Sequence, residues 1–356
     1  MRTTCLLAFA PIVLVACLQQ ALAQPLPTIE DIEKVWRSRQ ERVRSAHFAW
    51  TETVLVPKNS RSRDPGPLGP ALSGPPEDMT IKLKSFVTFD GDMMHYEETG
   101  LRWIENIAEL HPQRYASFND GEAIKSFFEQ DRSGRDLFHP SGFIDVGPRY
   151  VEAANTALMP VLMNYRPFHP DVQFGDLKPN LYTVADRPGE IDGRACILLE
   201  HQNRRTKMWL DPERDFIILR RSSAQPDGRL MAQLDVSYEN SGAVGWRPAA
   251  WKKIVYVDTP DPADHGIVAK QLDAVVTDHW FNRPIPRSEF QFEFPVGTRV
   301  NDGPAGRISY IVRGEGKKRL IHPTEYRADI TYADLLSTDS GQAGKPPTDS
   351  GESFWS

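Results

Sequence analysis

The feature that most constrains the fold is a run of short segments between Leu181 and Trp280 in which apolar and polar residues alternate. A period of two places successive side chains on opposite faces of a β-strand. Turn sequences built from Asp, Pro and Gly separate the segments, so we predict an antiparallel meander with one buried and one wetter face. In the clearest segment one face carries Ala232, Leu234, Val236 and Tyr238, and the other carries Gln233, Asp235 and Ser237.

Strand signals also fill the first half of the chain. His47–Val56 carries apolar residues at a spacing of two and is predicted as a strand. The stretch Thr99–His111 is compatible with helix or strand, and we leave it open. Two hairpins are predicted around Asp-Gly turns: Lys82–Phe89 with Met93–Glu97, and Arg114–Phe118 with Ala123–Phe128.

Two segments have helical periodicity. Thr28–Val43 begins with Thr28 and Asp31, which predict a capping box in which Asp replaces the usual Glu. Tyr150–Tyr165 is the second helix, and Pro160 is expected to kink it. The first helix carries one stripe of residues that we expect to be buried, formed by Ile29, Ile32, Val35, Trp36, Arg39 and Val43.

The first 23 residues have the pattern of a secretory signal. Arg2 precedes an apolar stretch, and Ala21-Leu22-Ala23 forms an A-x-A cleavage site. Leu14-Val15-Ala16-Cys17 resembles a bacterial lipobox, which offers a second fate with a lipid attached to Cys17. We therefore expect an exported protein of the periplasm or cell envelope, either free after cleavage at Ala23 or anchored through Cys17.

The sequence after the predicted signal indicates one domain. We place a single domain at 28–336, with a Pro/Gly-rich insertion at 57–78 and a disordered tail at 337–356. Cys196 is the one cysteine outside the predicted signal, so the mature chain is expected to have no internal disulfide and to depend on its core. Its apolar neighbours indicate a buried structural thiol.

Composition and motifs argue against several functions. The net charge of −6 disfavours nucleic acid and anionic membrane surfaces as partners. The sequence has no H-E-x-x-H, C-x-x-C, phosphate-loop or G-x-S-x-G motif, so no metal, cofactor or catalytic residue is assigned. Glu97 and Glu98 are adjacent, and on a strand they are expected to point to opposite faces. Oligomeric state is left open.

Short phrases in the sequence resemble the LolA/LolB and LppX-type lipoprotein-carrier superfamily. The resemblance implies an α+β fold in which a large antiparallel sheet curls into a half-barrel, with helices packed over its open side and an apolar hollow between. It also implies a lipid or lipoprotein partner. The phrases are Ile191-Asp192-Gly193-Arg194, the strand–turn–strand sequence Met208–Glu213 with Phe216–Arg220, and Phe294–Thr298.

The sequence supports three hypotheses about function. The leading hypothesis is a non-catalytic protein that binds a lipid, an acyl chain or another apolar ligand in the half-barrel. The alternatives are a structural or protein-interaction module of the cell envelope and a hydrolase whose site is not recognisable from sequence. If the strand tryptophans share the concave face they line the pocket, although core packing explains them equally well. The candidate lining residues are Trp50, Trp209, Trp251, Trp280, Tyr150 and Leu158.

Overall fold

A computed structural model gives the fold, and it describes residues 26–58, 75–104, 109–131, 139–145, 155–167, 179–257, 265–303, 308–325 and 330–337. The predicted signal with Cys17, most of the 57–78 insertion, Tyr150 and all but the first residue of the predicted tail lie outside these ranges.

The described residues form seventeen strands. Their bounds are β1 Ser45–Val56, β2 Met79–Asp90, β3 Met93–Ile104, β4 Glu109–Asn119, β5 Ile124–Asp131, β6 His139–Asp145, β7 Tyr182–Val184, β8 Gly189–Ile191, β9 Arg194–His201, β10 Thr206–Asp211, β11 Ile217–Ala224, β12 Leu230–Asn240, β13 Trp246–Tyr256, β14 Val268–Phe281, β15 Arg299–Asp302, β16 Ile308–Val312 and β17 Lys318–Leu320.

Strand β1 lies in the middle of the sheet. On one side it pairs with β2, and the pairing continues in chain order through β6 and then to β15, β16 and β17. On the other side it pairs with β14, and the order runs back through β13 to β9. Only β6 with β15 is parallel among the described pairings, and none of them joins the two ends. The sheet is therefore an unclosed, mostly antiparallel half-barrel, which confirms the predicted fold class.

The predicted strands and hairpins are confirmed, and the ambiguous stretch Thr99–His111 is resolved. It contributes the end of β3 and the start of β4, which pair continuously from Met94 opposite Asn119 to Ile104 opposite Glu109. The local pattern left this open because the deciding factor is the cross-strand partner, which a single segment does not reveal.

Within the described residues, three α-helices accompany the sheet: α1 Ile29–Arg42, α2 Asn155–Tyr165 and α3 Tyr332–Ser337. The predicted capping box is present at α1. The Asp31 backbone N–H donates to Thr28 Oγ1 at 3.2 Å, and the Thr28 backbone N–H donates to Asp31 Oδ2 at 3.0 Å. Pro160 lies inside α2.

Helices α1 and α2 pack on the concave face near one end of the half-barrel. Ile32 and Trp36 of α1 and Leu158 and Leu162 of α2 belong to the same buried cluster as Phe48 of β1. The Trp36 indole N–H donates to the backbone carbonyl of Phe216 at 2.8 Å, which ties α1 to the start of β11. The predicted stripe of α1 thus forms part of the core contact.

A buried arginine, Arg39, joins the two helices to each other and to the sheet. Its side chain is 1% exposed, and its Nε donates to the carbonyl of Asn164 in the last turn of α2 at 2.8 Å. Its Nη1 donates to the carbonyl of Asp215, before β11, at 2.8 Å. Carbonyl groups at a helix C-terminus lack helical partners and carry partial negative charge, so a guanidinium suits them.

A second buried arginine, Arg166, follows α2 and joins it to α1 and to the sheet. Its Nη1 donates to the carbonyl of Val43, which follows α1, at 2.9 Å. Its guanidinium lies over the ring of Phe89 in β2, 4.2 Å from the ring centre. Burial lowers the pKa of Arg39 and of Arg166 to about 10, so both remain charged at neutral pH. The two side chains fix both helices over the same end of the sheet.

The outer face of β2–β5 is covered by the segment that follows β14. Phe292 of this segment stacks on Phe118 with ring centres 4.5 Å apart, and Phe290 is fully buried. His95 stacks on the other side of Phe118, and its Nδ1 lies 3.1 Å from Glu289 Oε1. This part of the outer face is therefore packed.

Replacing Arg39 with methionine is expected to lower the free energy of unfolding by about 2–4 kcal/mol, because two buried carbonyls lose their donors. Chemical denaturation measures the loss. Arg37→Met on the same helix is the control, since the Arg37 side chain is more than half exposed and its ion pair with Glu33 lies at the surface, and a cost below about 0.5 kcal/mol is expected. Equal effects of the two substitutions would contradict the docking role of Arg39.

Candidate ligand-binding face

The concave face is the side of the sheet that carries α1 and α2. On β1 its residues are Ala46, Phe48, Trp50, Glu52 and Val54, and none is more than 3% exposed. The next residue on this face, Val56, is partly exposed. Exposure therefore increases along β1 in the direction away from the helices.

The same gradient runs along the neighbouring strands. On β14, Ala274 and Leu272 are buried whereas Lys270, the next residue on the same face, is exposed. On β13, Trp251 is buried and Lys253 is partly exposed. We call this region the open end and define it by the concave residues that lie beyond the buried ones: Val56, Arg221, Ala232, Lys253, Val255 and Lys270.

The opposite part of the face, beneath α2, is filled by side chains. Leu158, Val161 and Leu162 of α2 are at most 2% exposed and belong to the main buried cluster. Leu158, a candidate lining residue, is therefore placed in close-packed core.

The four candidate tryptophans do not share one face. Trp50 and Trp251 lie on the concave face and contact edge to face, with ring centres 5.3 Å apart. Trp209 packs on the other side of β10, against a small cluster that contains Cys196. Trp280 stacks on the outer-face His47 at 5.6 Å. Only two of the four are brought together.

Alternation explains this division. On β10, Met208 and Leu210 enter the main core, so Trp209 between them points the other way. On β14, His279 and Phe281 are opposite Phe48 and Ala46 of the concave face, so Trp280 faces outward.

Cys196 is a buried thiol, as expected from its apolar neighbours. It is 1% exposed, and burial raises the pKa of the thiol above its usual value. A low thiolate population is unsuited to nucleophilic chemistry.

A buried carboxyl group, Glu52, lies on the concave face next to Trp50. Its Oε1 accepts hydrogen bonds from Trp50 Nε1 at 2.7 Å and from Ser85 Oγ at 2.8 Å. Burial raises the pKa of Glu52, and the negative charge of Glu98 raises it further.

Glu97 and Glu98 point to opposite faces of β3, which confirms the expectation from their adjacency. Glu98 faces inward and accepts from Arg102 Nη2 at 2.9 Å and from the Tyr96 hydroxyl at 3.3 Å. Glu97 faces outward. Its pKa is lowered to about 2 by the His95 imidazole, whose Nε2 lies 3.7 Å from Glu97 Oε2, and by two hydrogen bonds from Arg114.

The open end carries three basic side chains that the sequence did not single out. Arg221, Leu234, Lys253 and Leu272 are consecutive cross-strand partners on β11 to β14. Lys270 lies two residues from Leu272 on the same face. Partners of this kind share a face of the sheet, so register alone brings the three cations to one region.

The lysines are in a dehydrated environment. Burial lowers the pKa of Lys253 to about 8, and the charges of Arg221 and Lys270 lower it further. Burial is also the main cause that lowers the pKa of Lys270, followed by the charge of Arg102. Lys270 is nevertheless exposed to solvent.

Two further properties are relevant to function. Among the described residues, no group of three or more His, Cys, Asp and Glu side chains is placed to hold a metal ion. None of the helices in the described ranges is long and apolar enough to cross a membrane.

Comparison with known proteins gives distant structural matches. A DUF1329 family protein from Desulfovibrio piger matches with a TM-score of 0.40 and 10% identity, over 75% of this chain and 98% of that one. A putative outer membrane lipoprotein-sorting protein domain from Vibrio parahaemolyticus matches at 0.39 and 12%, over 74% and 95%. A LolA superfamily protein from Nitrosomonas europaea matches at 0.37 and 10%, over 75% and 99%.

No family model and no curated protein matches the sequence. The three structural matches are distant, since every TM-score is below 0.5.

Lys253→Met is expected to stabilise the protein by about 1 kcal/mol at pH 7, because a charged, dehydrated group is removed. The folded-state pKa of about 8 is below the ordinary 10.5. Between these values the unfolded chain binds the proton that the folded chain has released, so the stability of the wild type rises with pH and the advantage of the variant disappears. Thermal unfolding from pH 7 to pH 10.5 measures this.

Lys252→Met is the matched control, since Lys252 is exposed on the other face of the same strand. Its stability is expected to follow that of the wild type at every pH. A Lys253→Met variant that is less stable than the wild type at pH 7 would contradict the dehydrated environment.

Proposed function

We propose that this protein is a non-catalytic binding protein that holds an acyl chain or a similar apolar ligand at the open end of its concave face. The observation that carries the proposal is the rise in exposure along β1, β13 and β14. Apolar residues of the face continue from the packed core toward the accessible region, so a chain placed there extends the core.

The lining residues fit such a ligand. Val54, Leu234 and Leu272 lie in one row across the sheet and are buried, and Val255 is partly exposed in the next row. Each methylene group that leaves water on such a surface contributes about 0.8 kcal/mol. Trp50 and Trp251 are 1% and 3% exposed and close the inner end of this row, so they form the packed floor next to the proposed site.

Trp251 also offers a polar contact. Its indole N–H is buried and has no hydrogen-bond partner among the residues that the structure describes. A buried donor without an acceptor costs about 1–3 kcal/mol. A ligand oxygen near Trp251 would offset that cost.

The hydrolase alternative has less support. Its prediction of titratable groups with shifted pKa values is met by Glu52 and the two lysines. However, Glu52 Oε1 already accepts two buried hydrogen bonds, which gives this carboxyl group a structural role. The interaction-module alternative calls for a packed interior, and among the described residues the packed part of the concave face extends from the helix end as far as Val54, Leu234 and Leu272.

Export remains part of the proposal. The intact mass of the mature protein is expected to correspond to a chain that starts at Gln24, because the polar residues before Ala23 form an ordinary cleavage region. Mass spectrometry of protein made in a bacterial host with lipoprotein processing measures this. A chain that starts at an acylated Cys17 would instead make the protein membrane-anchored, and an unprocessed chain would contradict export.

Ligand binding is tested with a pyrene-labelled fatty alcohol, which has a chain but no charge. The wild type is expected to bind it, with quenching of tryptophan fluorescence. Ala232→Phe adds bulk at the open end and is expected to weaken binding at least ten-fold. Gln233→Phe, one residue away on the other face of β12, is the control and should bind as the wild type does.

Two results would count against the proposal. One is the absence of any probe binding to delipidated wild-type protein. The other is equal weakening by Ala232→Phe and Gln233→Phe, which would place the ligand elsewhere. Mass spectrometry of organic extracts from freshly purified protein adds an independent readout, with copurified lipid as the expected result.

A further inference from the structure

We infer that the segment between β14 and β15 is a pH-sensitive strap, which is held more tightly on the outer face of the sheet when the imidazole of His95 is protonated than when it is neutral. Residues 282–298 form this segment, and we call them the strap. They cover the face of the sheet opposite to the proposed ligand-binding face. The inference therefore goes beyond the proposed function and does not depend on it.

Aromatic packing attaches the strap to the sheet. The strap is irregular apart from one short turn, Arg287–Phe290. Phe292 stacks on Phe118 of β4. Phe294 packs so closely on the backbone of Gly142 in β6 that a Cβ atom at this glycine would lie 2.3 Å from the Phe294 ring. Apolar packing of this kind does not change with pH, so a pH dependence of the strap has to come from its polar contacts.

His95 occupies a closed position beneath the strap. The residue is 9% exposed, and its ring stacks on Phe118 with ring centres 4.1 Å apart. On the other side the ring of Phe86 meets the imidazole edge to face at 4.9 Å. These two rings come from the neighbouring strands β4 and β2 and fix the plane of the imidazole. Each nitrogen of His95 is thereby directed at a fixed partner.

That partner is a carboxylate on both sides. The Nδ1 atom of His95 lies 3.1 Å from Glu289 Oε1 of the strap, and its Nε2 lies 3.7 Å from Glu97 Oε2 of the sheet. A neutral imidazole has one N–H, so one of its nitrogens always presents a lone pair to a carboxylate. The imidazolium has an N–H on each side and a positive charge between two negative ones. The protonated form of His95 therefore binds the strap more tightly.

Three other ionisable groups determine the field at His95. Glu97 has a pKa of about 2, so it is ionised at every pH at which an imidazole titrates. Arg114 is a cation, but its guanidinium donates to both oxygens of Glu97 at 2.9 and 3.1 Å. His47 of β1 lies on the far side of Phe86, and burial lowers its pKa, so it is mostly neutral at pH 7. The surroundings of His95 favour its charged form.

Release of the strap has a consequence for the edge of the sheet. Strand β15 begins directly after the strap and forms the parallel pair with β6. Strands β16 and β17 pair in turn onto β15. A loosened strap therefore weakens the attachment of these three strands, whereas β1 and its neighbours keep their own pairings.

Hydrogen–deuterium exchange at pH 5.5 and pH 8.5 tests the inference, with every rate corrected for intrinsic exchange at that pH. In the wild type, protection of the backbone amides of residues 290–294 is expected to fall at least about five-fold from pH 5.5 to pH 8.5, because a charge-assisted hydrogen bond is about twice as strong as a neutral one. The amides of β1 serve as the internal reference and are expected to change less than two-fold.

Two variants assign the effect to the contact between His95 and Glu289. His95→Gln is expected to show, at both pH values, the low protection that the wild type has at pH 8.5. Glu289→Gln removes the carboxylate of the strap at a side chain that is 43% exposed, so it tests the same contact without disturbing the packed rings. It is expected to lose most of the pH dependence.

His111→Gln is the control, since His111 faces Glu109 at 3.0 Å near the other end of β4. This variant is expected to keep the full pH dependence of the strap. The inference is overturned if the wild type and Glu289→Gln show the same change between pH 5.5 and pH 8.5. It is also overturned if β1 loses protection as much as the strap does, because the change would then be one of global stability.

Discussion

Two buried arginines determine where this half-barrel is packed and where it is accessible. Arg39 and Arg166 donate to carbonyls at and after the C-termini of α2 and α1, and thereby hold both helices over one end of the concave face. Leu158 and its neighbours then fill that end completely. Since both helices are held there, the exposure of β1, β13 and β14 rises toward the other end. The position of the proposed ligand follows from this asymmetry.

Cationic side chains have opposite roles at the two ends of the concave face. At the helix end, Arg39 and Arg166 meet backbone carbonyls, so their charges stabilise the fold. At the open end, Arg221, Lys253 and Lys270 are close enough to repel one another. A fold stabilised by its core, with a buried Cys196 and no disulfide among the described residues, tolerates this cost because the core is large. The cost marks the open end as the region where a ligand has most to contribute.

Much of the fold was predictable because its determinants are local. Alternation and Asp-Gly turns gave the meander, and the spacing of the stripe on α1 included the buried Arg39. The site was less predictable because it depends on register between strands distant in sequence. A bulge such as the one between Trp209 and Leu210 also changes which residues of the neighbouring strand share a face with a given residue. One signal was available: Lys253 and Lys270 occupy apolar positions of alternating segments. Strands β15–β17 had no strong periodic signal.

The central claim is that the ligand occupies the open end and not the space under the helices. Hydrogen–deuterium exchange of the delipidated protein with and without an excess of palmitate tests this most directly. The account predicts slower exchange of backbone amides in Trp251–Tyr256 and Val268–Ala274, with no change in α1 and α2. Slower exchange confined to α2, or to the outer segment around Phe292, would contradict it.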